Sequence, residues 1–314
     1  MADMTTSPAH SDRILLGVGL MLAFCVLAPL LDVSAKLATA TLPVGQIVVA
    51  RFVVQAVLML PFVLLMRLDW RISRRTTGFV FARAVCLMLA TYCFVAAVAV
   101  MPIADALAIV FVEPFILLIL GSLLFGDEVG PRRIAASTIG FLGALLVIQP
   151  SISAFGWVAL FPLGTAFTFA AYMLITRAMS RSMHPVTMQL HTALAGSVIC
   201  LPLMALFDGS GIKELDAIMP VGIEWVWLFG VGFWAACSHM CMTYALKFAP
   251  SATLAPLHYA ELIAAVTLGY LVFGDFPNPM TWAGIAIITG SGLYIIYREH
   301  VTARATVTAP KQKR

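Results

Sequence analysis

Two glutamates, Glu113 and Glu261, lie 148 residues apart, each in the middle of a long apolar stretch. An ionisable side chain at the centre of a bilayer costs at least about 2.5–3.5 kcal/mol, so each needs a partner, a wet cavity or a job. One role is to bind a proton or a cationic group and release it when the surroundings change. The other is structural: each caps the gap left in its helix by a nearby proline, Pro114 or Pro256, or bonds a neighbouring helix. Both roles stay open. His258 precedes Glu261 by three residues, which puts the two on one helical face next to Tyr259. His239 falls at a similar depth on the preceding apolar stretch. Histidine titrates near working pH, so the two imidazoles suit coupling or recognition; a buried histidine bonded to a carbonyl is the alternative.

The remaining intramembrane charges are Asp32, Lys36, Arg51 and Arg83. Asp32 and Lys36 are spaced i, i+4 and can pair on one face. Arg51 lies as far back from the short loop 39–43 as Asp32 does, so an Asp32–Arg51 pair between adjacent helices is geometrically reasonable. Such a pair is either a structural clamp, kept because losing one charge strands the other, or an outer gate that breaks as access alternates. Arg83 is about one and a half turns inside the end of its helix, near enough to snorkel to the interface. If it faces inward instead, it selects a carboxylate or phosphate. Asp105 suits the dipole at a helix start. Tyr92, Phe111, Tyr172, Trp234, Tyr244 and Tyr259 are aromatic candidates for stacking on a planar or apolar part of a ligand. Trp225, Trp227 and Trp282 read as interfacial belt residues.

The elements that must position these residues follow from composition. The chain has 314 residues, 61% hydrophobic and 11% charged, with a mean hydropathy of +0.99. A water-soluble fold of that composition would expose far more contiguous apolar surface than monomers tolerate. A formal net charge of +4 therefore serves orientation in a lipid bilayer, and no nucleic-acid partner is expected. All six cysteines fall in apolar stretches and imply no disulfide framework. Cys237, His239 and Cys241 are spaced by two, which points them apart on a helix, so no metal site is expected. The first 13 residues include acidic groups where a secretory signal would be basic, so the first apolar run is read as retained.

Stretches long enough to cross a core of about 30 Å can be marked at about 14–38, 44–66, 77–99, 102–124, 132–149, 155–177, 185–207, 223–247, 251–273 and 280–297. The expectation is an all-α integral membrane fold of ten transmembrane helices with short connections. With the N-terminus cytoplasmic, the inner side carries Arg13, Arg67, Arg71, Arg74, Arg75, Arg132, Arg133, Arg177, Arg181 and Lys247, and the C-terminal tail carries Arg298, Arg304, Lys311, Lys313 and Arg314. The outer loops carry only Lys213. That bias puts both termini on the cytoplasmic side.

A shift of 148 residues superposes Pro102 on Pro250, Glu113 on Glu261, Phe125-Gly126-Asp127 on Phe273-Gly274-Asp275, and Pro131 on Pro279. Slightly smaller shifts, of 141 and 142 residues, pair Lys36 with Arg177 and Pro43 with Pro185. The repeat unit is five helices, and an odd number makes the second copy enter from the opposite side, the inverted arrangement of secondary transporters. The chain then divides into a cytoplasmic tail 1–13, a first repeat 14–149, a second repeat 155–297 and a basic tail 298–314.

With Leu124-Phe125-Gly126-Asp127-Glu128 closing the fourth helix and Val272-Phe273-Gly274-Asp275 the ninth, the chain resembles the EamA group of the drug/metabolite transporter superfamily over nearly its whole length. The usual family ending is nearer leucine-glycine-glutamate, so these endings are variants. The resemblance implies a bacterial inner-membrane carrier with a central cavity lined by helices 1, 3, 4, 6, 8 and 9, and helices 5 and 10 at the periphery as the surface for a homodimer. The segments Asp32-Val33-Ser34-Ala35-Lys36 and Ala255-Pro256-Leu257-His258-Tyr259-Ala260-Glu261-Leu262 are similar to branches that take up riboflavin or S-adenosylmethionine. Riboflavin is favoured because the cavity candidates are aromatic, with S-adenosylmethionine, amino acids and drugs as alternatives and either import or export open.

No phosphate-binding G-x-x-x-x-G-K-[ST] loop is present, so no ATP hydrolysis and no cofactor are expected, and transport must run on a gradient or passively. No H-E-x-x-H or G-x-S-x-G motif suggests an enzyme. The competing classes are a membrane-embedded transferase, which generally needs acidic or histidine clusters at an interfacial loop, and an assembly subunit, which has no use for paired midplane glutamates.

Overall fold

The computed structural model describes residues 8–113, 115, 116, 119, 120, 123, 131–179, 182–248, 257 and 260–308, and among these every regular element is helical. The elements are α1 (Pro8–Ala38), α2 (Val44–Leu65), α3 (Arg74–Val98), α4 (Ile103–Val110), α5 (Pro131–Phe155), α6 (Phe161–Met179), α7 (Pro185–Phe207), α8 (Glu224–Phe248), α9 (Ala260–Phe273) and α10 (Pro279–Thr308). Local chemistry sets several boundaries. Pro131, Pro185 and Pro279 each open a helix, where a missing N–H costs nothing. The Ser73 hydroxyl accepts from Thr76 N at 3.2 Å to start α3, and Asn278 Oδ1 accepts from Met280 N and Thr281 N, both at 2.9 Å, to start α10.

Six helical stretches among the described residues are long and apolar enough to cross a membrane, and one of them, Ile134–Thr176, runs through α5 and α6. At 43 residues it is about twice what one crossing needs. Outward-facing side chains such as Leu64, Leu65, Val226, Ile263 and Leu271 stay exposed, the surface a lipid environment accepts and water does not.

Three boundaries differ from the sequence expectation. The span expected over 102–124 is interrupted: α4 ends at Val110, a turn follows at Phe111 and Val112, and the residues described beyond it, from Glu113 to 123, are helical again. The sequence has a proline at 114, a residue type that supplies no N–H to the carbonyl four residues back. The fifth helix does not end at 149 but continues to Phe155, where Gly156 at φ 70° turns the chain into a short 3₁₀ segment, Gly156–Leu160. The last helix continues beyond 297 to Thr308, so the first part of the basic tail is helical.

Packing is pairwise. α1 lies mainly against α8, and α3 against α6; α2 packs on α7, α5 on α10 and α4 on α9. Lipid tails are as apolar as leucine, so close backbone approach and hydrogen bonds must hold such helices together. At the α5–α10 contact a side chain at Gly284 would meet the Gly143 carbonyl at 2.8 Å, and one at Gly143 would meet Ile287 at 2.7 Å. The largest apolar cluster, including Ile109, Phe115, Val147 and Ile288, joins α4, α5, α6, α9 and α10.

Candidate functional site

The helix pairing leaves a cavity near the middle of the bundle with about 110 Å³ of room for water centres, several times the ~10–15 Å³ that one buried water needs. Its wall draws on α1, α2, α3, α4, α6, α8 and α9. Compared with the family expectation, α2 is the addition, contributing Arg51. Three carboxyl groups reach this wall: Asp32 from α1, Glu113 just beyond the end of α4, and Glu261 from the first turn of α9. Arg51, Thr91, Thr165 and His239 supply the remaining polar surface; Phe24, Phe94, Phe111 and Phe169 supply aromatic surface. Asp32, Arg51, Glu113, His239 and Glu261 are all buried at 8% exposure or less.

The interruption in α4 is what brings Glu113 to the wall. The i→i−4 ladder runs to Phe111 N on Leu107 O at 3.0 Å, Val112 N turns to Ile109 O at 3.2 Å, and the ladder resumes with Ile116 N on Val112 O at 3.2 Å. Irregular backbone at membrane depth is tolerated where it is buried in protein or borders a wet cavity. Glu261 is placed by the start of α9, while Cys25 Sγ from α1 bonds Leu257 O at 3.2 Å beside it.

The expected Asp32–Arg51 and Asp32–Lys36 pairs are not formed. Arg51 donates through Nη1 to Thr91 Oγ1 and through Nη2 to His239 Nε2 at 2.8 Å. A common count from the loop does not fix the rotation of a helix, and rotation turns the fork of Arg51 toward α3 and α8. Lys36 points the other way, to Asp275 Oδ2 at 2.7 Å and Met101 O at 3.1 Å, with its ammonium 4.7 Å from the Phe273 ring. This ion pair ties the end of α1 to the turn between α9 and α10. Asp105, buried in the first turn of α4, shares that corner.

Arg83 does not snorkel. It is fully buried and donates to Thr176 Oγ1 at 2.8 Å, Thr192 Oγ1 and Tyr172 Oη at 2.6 Å, with its guanidinium carbon 4.3 Å from the Tyr172 ring. The hydroxyls of α6 and α7 substitute for water, so the side chain gains nothing by reaching the interface. Tyr172 Oη also lies 3.4 Å from His239 Nδ1. A polar chain therefore runs Arg83, Tyr172, His239, Arg51, Thr91 across α2, α3, α6 and α8. Beneath it Gln189 Nε2 donates to Thr243 Oγ1 at 3.1 Å and accepts at Oε1 from Gln55 at 3.3 Å.

Of the other sequence candidates, Tyr92 is half-buried beside the cluster that contains Phe24 and does not reach the cavity wall. Trp234 packs edge-on against Phe233 at 4.9 Å and is likewise outside the wall. Tyr244 stacks on Phe248 and meets His184. His258 and Tyr259 lie outside the described residues. Sequence reasoning missed Asp275 as the partner of Lys36, and Thr91, Phe24, Phe94 and Phe169 as wall residues. For Asp275 the repeated Phe-Gly-Asp ending was the available signal.

Comparison with known proteins agrees with this architecture. Residues 15–149 and 156–298 each match the EamA-like transporter family. A riboflavin transporter of Rhizobium johnstonii is 30% identical over 69% of this chain and 69% of its own. A riboflavin transporter of Brucella anthropi is 27% identical over 90% of this chain and 99% of its own. An S-adenosylmethionine uptake transporter of Rickettsia felis is 23% identical over 91% and 94%. One solved structure superposes with a TM-score of 0.64 over 92% of this chain and 99% of the other, at 17% identity, which shows a shared fold. Because the family match covers both halves and the relatives are named as transporters rather than enzymes, the membrane-embedded transferase is set aside, and the chain belongs to the EamA-like transporter family of multi-pass membrane proteins.

Proposed function

We propose that the chain is a secondary active carrier that takes up riboflavin across the bacterial inner membrane by alternating access around the central cavity. The observation that carries this reading is the cavity itself: three carboxyl groups and one arginine fork face a common space walled by four phenylalanine rings. The rings suit a flat heteroaromatic solute, and the carboxyl groups suit both a polyhydroxyl chain and a coupled proton. Both the relative at 30% identity and that from Brucella anthropi are named riboflavin transporters.

Ten spans in two inverted repeats, 14–149 and 155–297, with both tails cytoplasmic, are the architecture we assign. Its support is the charge bias of the loops together with the packing: α1 on α8 mirrors α6 on α3, while α2 on α7, α4 on α9 and α5 on α10 join counterparts. In that frame Glu113 and Glu261 are symmetry mates and candidate proton sites, with Asp32, Arg51 and His239 as the candidate solute contacts. The Lys36–Asp275 pair then lies on the outer side and closes it. His258 and Tyr259 remain solute-site candidates on sequence grounds, and the α5–α10 surface is the proposed homodimer contact.

A second reading, S-adenosylmethionine uptake, is favoured by the excess of carboxyl groups over cations in the wall, which suits a cationic solute with an aromatic base. Growth rescue of riboflavin auxotrophs by this chain, followed by radiolabelled uptake in proteoliposomes, separates the two. Riboflavin uptake that unlabelled S-adenosylmethionine fails to inhibit supports the first reading; S-adenosylmethionine uptake without riboflavin uptake replaces it.

A further inference from the structure

The two buried arginines and the histidine between them can be assigned hydrogen by hydrogen. Every Arg51 N–H is a donor and none can accept, so His239 Nε2, 2.8 Å from Arg51 Nη2, must be the acceptor. An uncharged imidazole has one acceptor nitrogen, which leaves the proton on Nδ1, 3.4 Å from Tyr172 Oη. Tyr172 Oη is also the acceptor for Arg83 Nη2 at 2.6 Å. Both lone pairs of that hydroxyl are thus met by donors, and both ring nitrogens of His239 are committed.

The groups that face His239 come from every helix around it. Asp32 on α1, Glu113 beyond α4 and Glu261 on α9 share its cavity; Arg51 on α2, Arg83 on α3 and Tyr172 on α6 form its polar chain. The rings of Phe24 and Phe169 stand edge-on to the imidazole at 6.5 and 6.4 Å. A second proton on His239 would set an N–H against the Arg51 N–H across 2.8 Å and break the contact that holds the guanidinium. Arg51 Nε, buried and without a protein partner among the described residues, is a spare donor on the side chain so held.

We propose that His239 is a positioning residue rather than the proton carrier: uncharged, with its hydrogen on Nδ1, it accepts from Arg51, donates to Tyr172, and fixes the Arg51 fork as the donor that recognises acceptor atoms on the solute. Arg83 and Tyr172 act through it, outside the cavity wall. The tautomer follows from the hydrogen-bond geometry alone; the recognition role rests on the transport reading above.

The test uses the full chain with ¹⁵N-labelled histidine in lipid nanodiscs at neutral pH, the His239 signal being assigned by its loss in H239Q. The expected spectrum is that of an uncharged imidazole protonated at Nδ1, and R51M removes the Nε2 acceptor signature. An imidazolium, or a ring protonated at Nε2, overturns the proposal. In proteoliposomes with radiolabelled riboflavin, H239L raises KM by about tenfold or more, the effect expected from losing one charged hydrogen bond. Glutamine at the same position restores an acceptor and a donor and recovers most of that loss, while Y172F raises KM less than H239L. Both His239 variants retain dependence of uptake on a proton gradient. Loss of that dependence in H239Q overturns the proposal. Absence of riboflavin uptake in the wild type counts against the transport reading, and the spectrum still decides the assignment of His239.

Discussion

Two arrangements of charge in this molecule solve the same problem in opposite ways. At the corner where α1 meets the α9–α10 turn, Lys36 and Asp275 neutralise each other at 2.7 Å with their side chains 16% and 29% exposed. In the bundle interior, Arg83 and Arg51 are held by hydroxyls, a phenol and an imidazole. An ion pair at the rim can break cheaply because water waits to solvate both halves. A buried guanidinium satisfied by neutral dipoles has nowhere to go. The difference teaches where movement costs least: at the Lys36–Asp275 corner rather than along the Arg–Tyr–His chain.

The largest effect should come from breaking the interior. Arg83→Ala removes three donors and most of a buried side chain, and it should cost about 3 kcal/mol or more, read as a lowered denaturation midpoint in detergent. Thr176 and Thr192 keep bonds to Tyr172 O and Met188 O, at 2.7 and 2.8 Å, so little of that loss comes from stranded hydroxyls. Next, Arg51→Lys keeps the charge but cannot reach Thr91 and His239 together, and uptake affinity should fall by about tenfold without a comparable loss of stability. At the rim, Lys36→Met should change stability by no more than about 1 kcal/mol. It should instead increase labelling of cysteines introduced along the outer half of α1, and the exchanged pair Lys36→Asp with Asp275→Lys should reverse that increase.

The smallest effect lies outside both regions. His184 caps α7, its ring nitrogen accepting from Val186 N at 3.4 Å, and partial burial and then the nearby Lys247 hold its imidazole below the usual histidine range. The folded chain therefore binds fewer protons there than the unfolded chain. The contribution is present at higher pH and is lost as pH falls from about 6.5 through the lowered folded value. Replacing His184 by Asn should flatten that part of a stability-against-pH curve.

The bilayer made much of the fold legible. Apolar run lengths marked the helices, and the repeat of Glu113 and Glu261 pointed to two of the carboxyl groups that line the cavity. What periodicity lacks is rotation about each helix axis. That is why Lys36 was matched to its i, i+4 neighbour Asp32 and not to Asp275, which is 239 residues away in sequence. Arg83 shows a different limit: its depth suggested snorkelling, but the hydroxyls of Thr176 and Thr192 on two other helices remove the reason to do so. Helix ends are set where a residue overrides hydropathy, as Gly156 at φ 70° does at the end of α5.

The proposed gradient-driven uptake turns on the cavity carboxyl groups, Glu261 first among them. The most direct measurement compares radiolabelled riboflavin accumulation in proteoliposomes containing the wild type or Glu261→Gln, with the outside acidified relative to the lumen. The wild type should accumulate solute above the outside concentration, and Glu261→Gln should equilibrate it without accumulation. Accumulation by Glu261→Gln at the wild-type level, still collapsed by dissipating the proton gradient, would contradict the account.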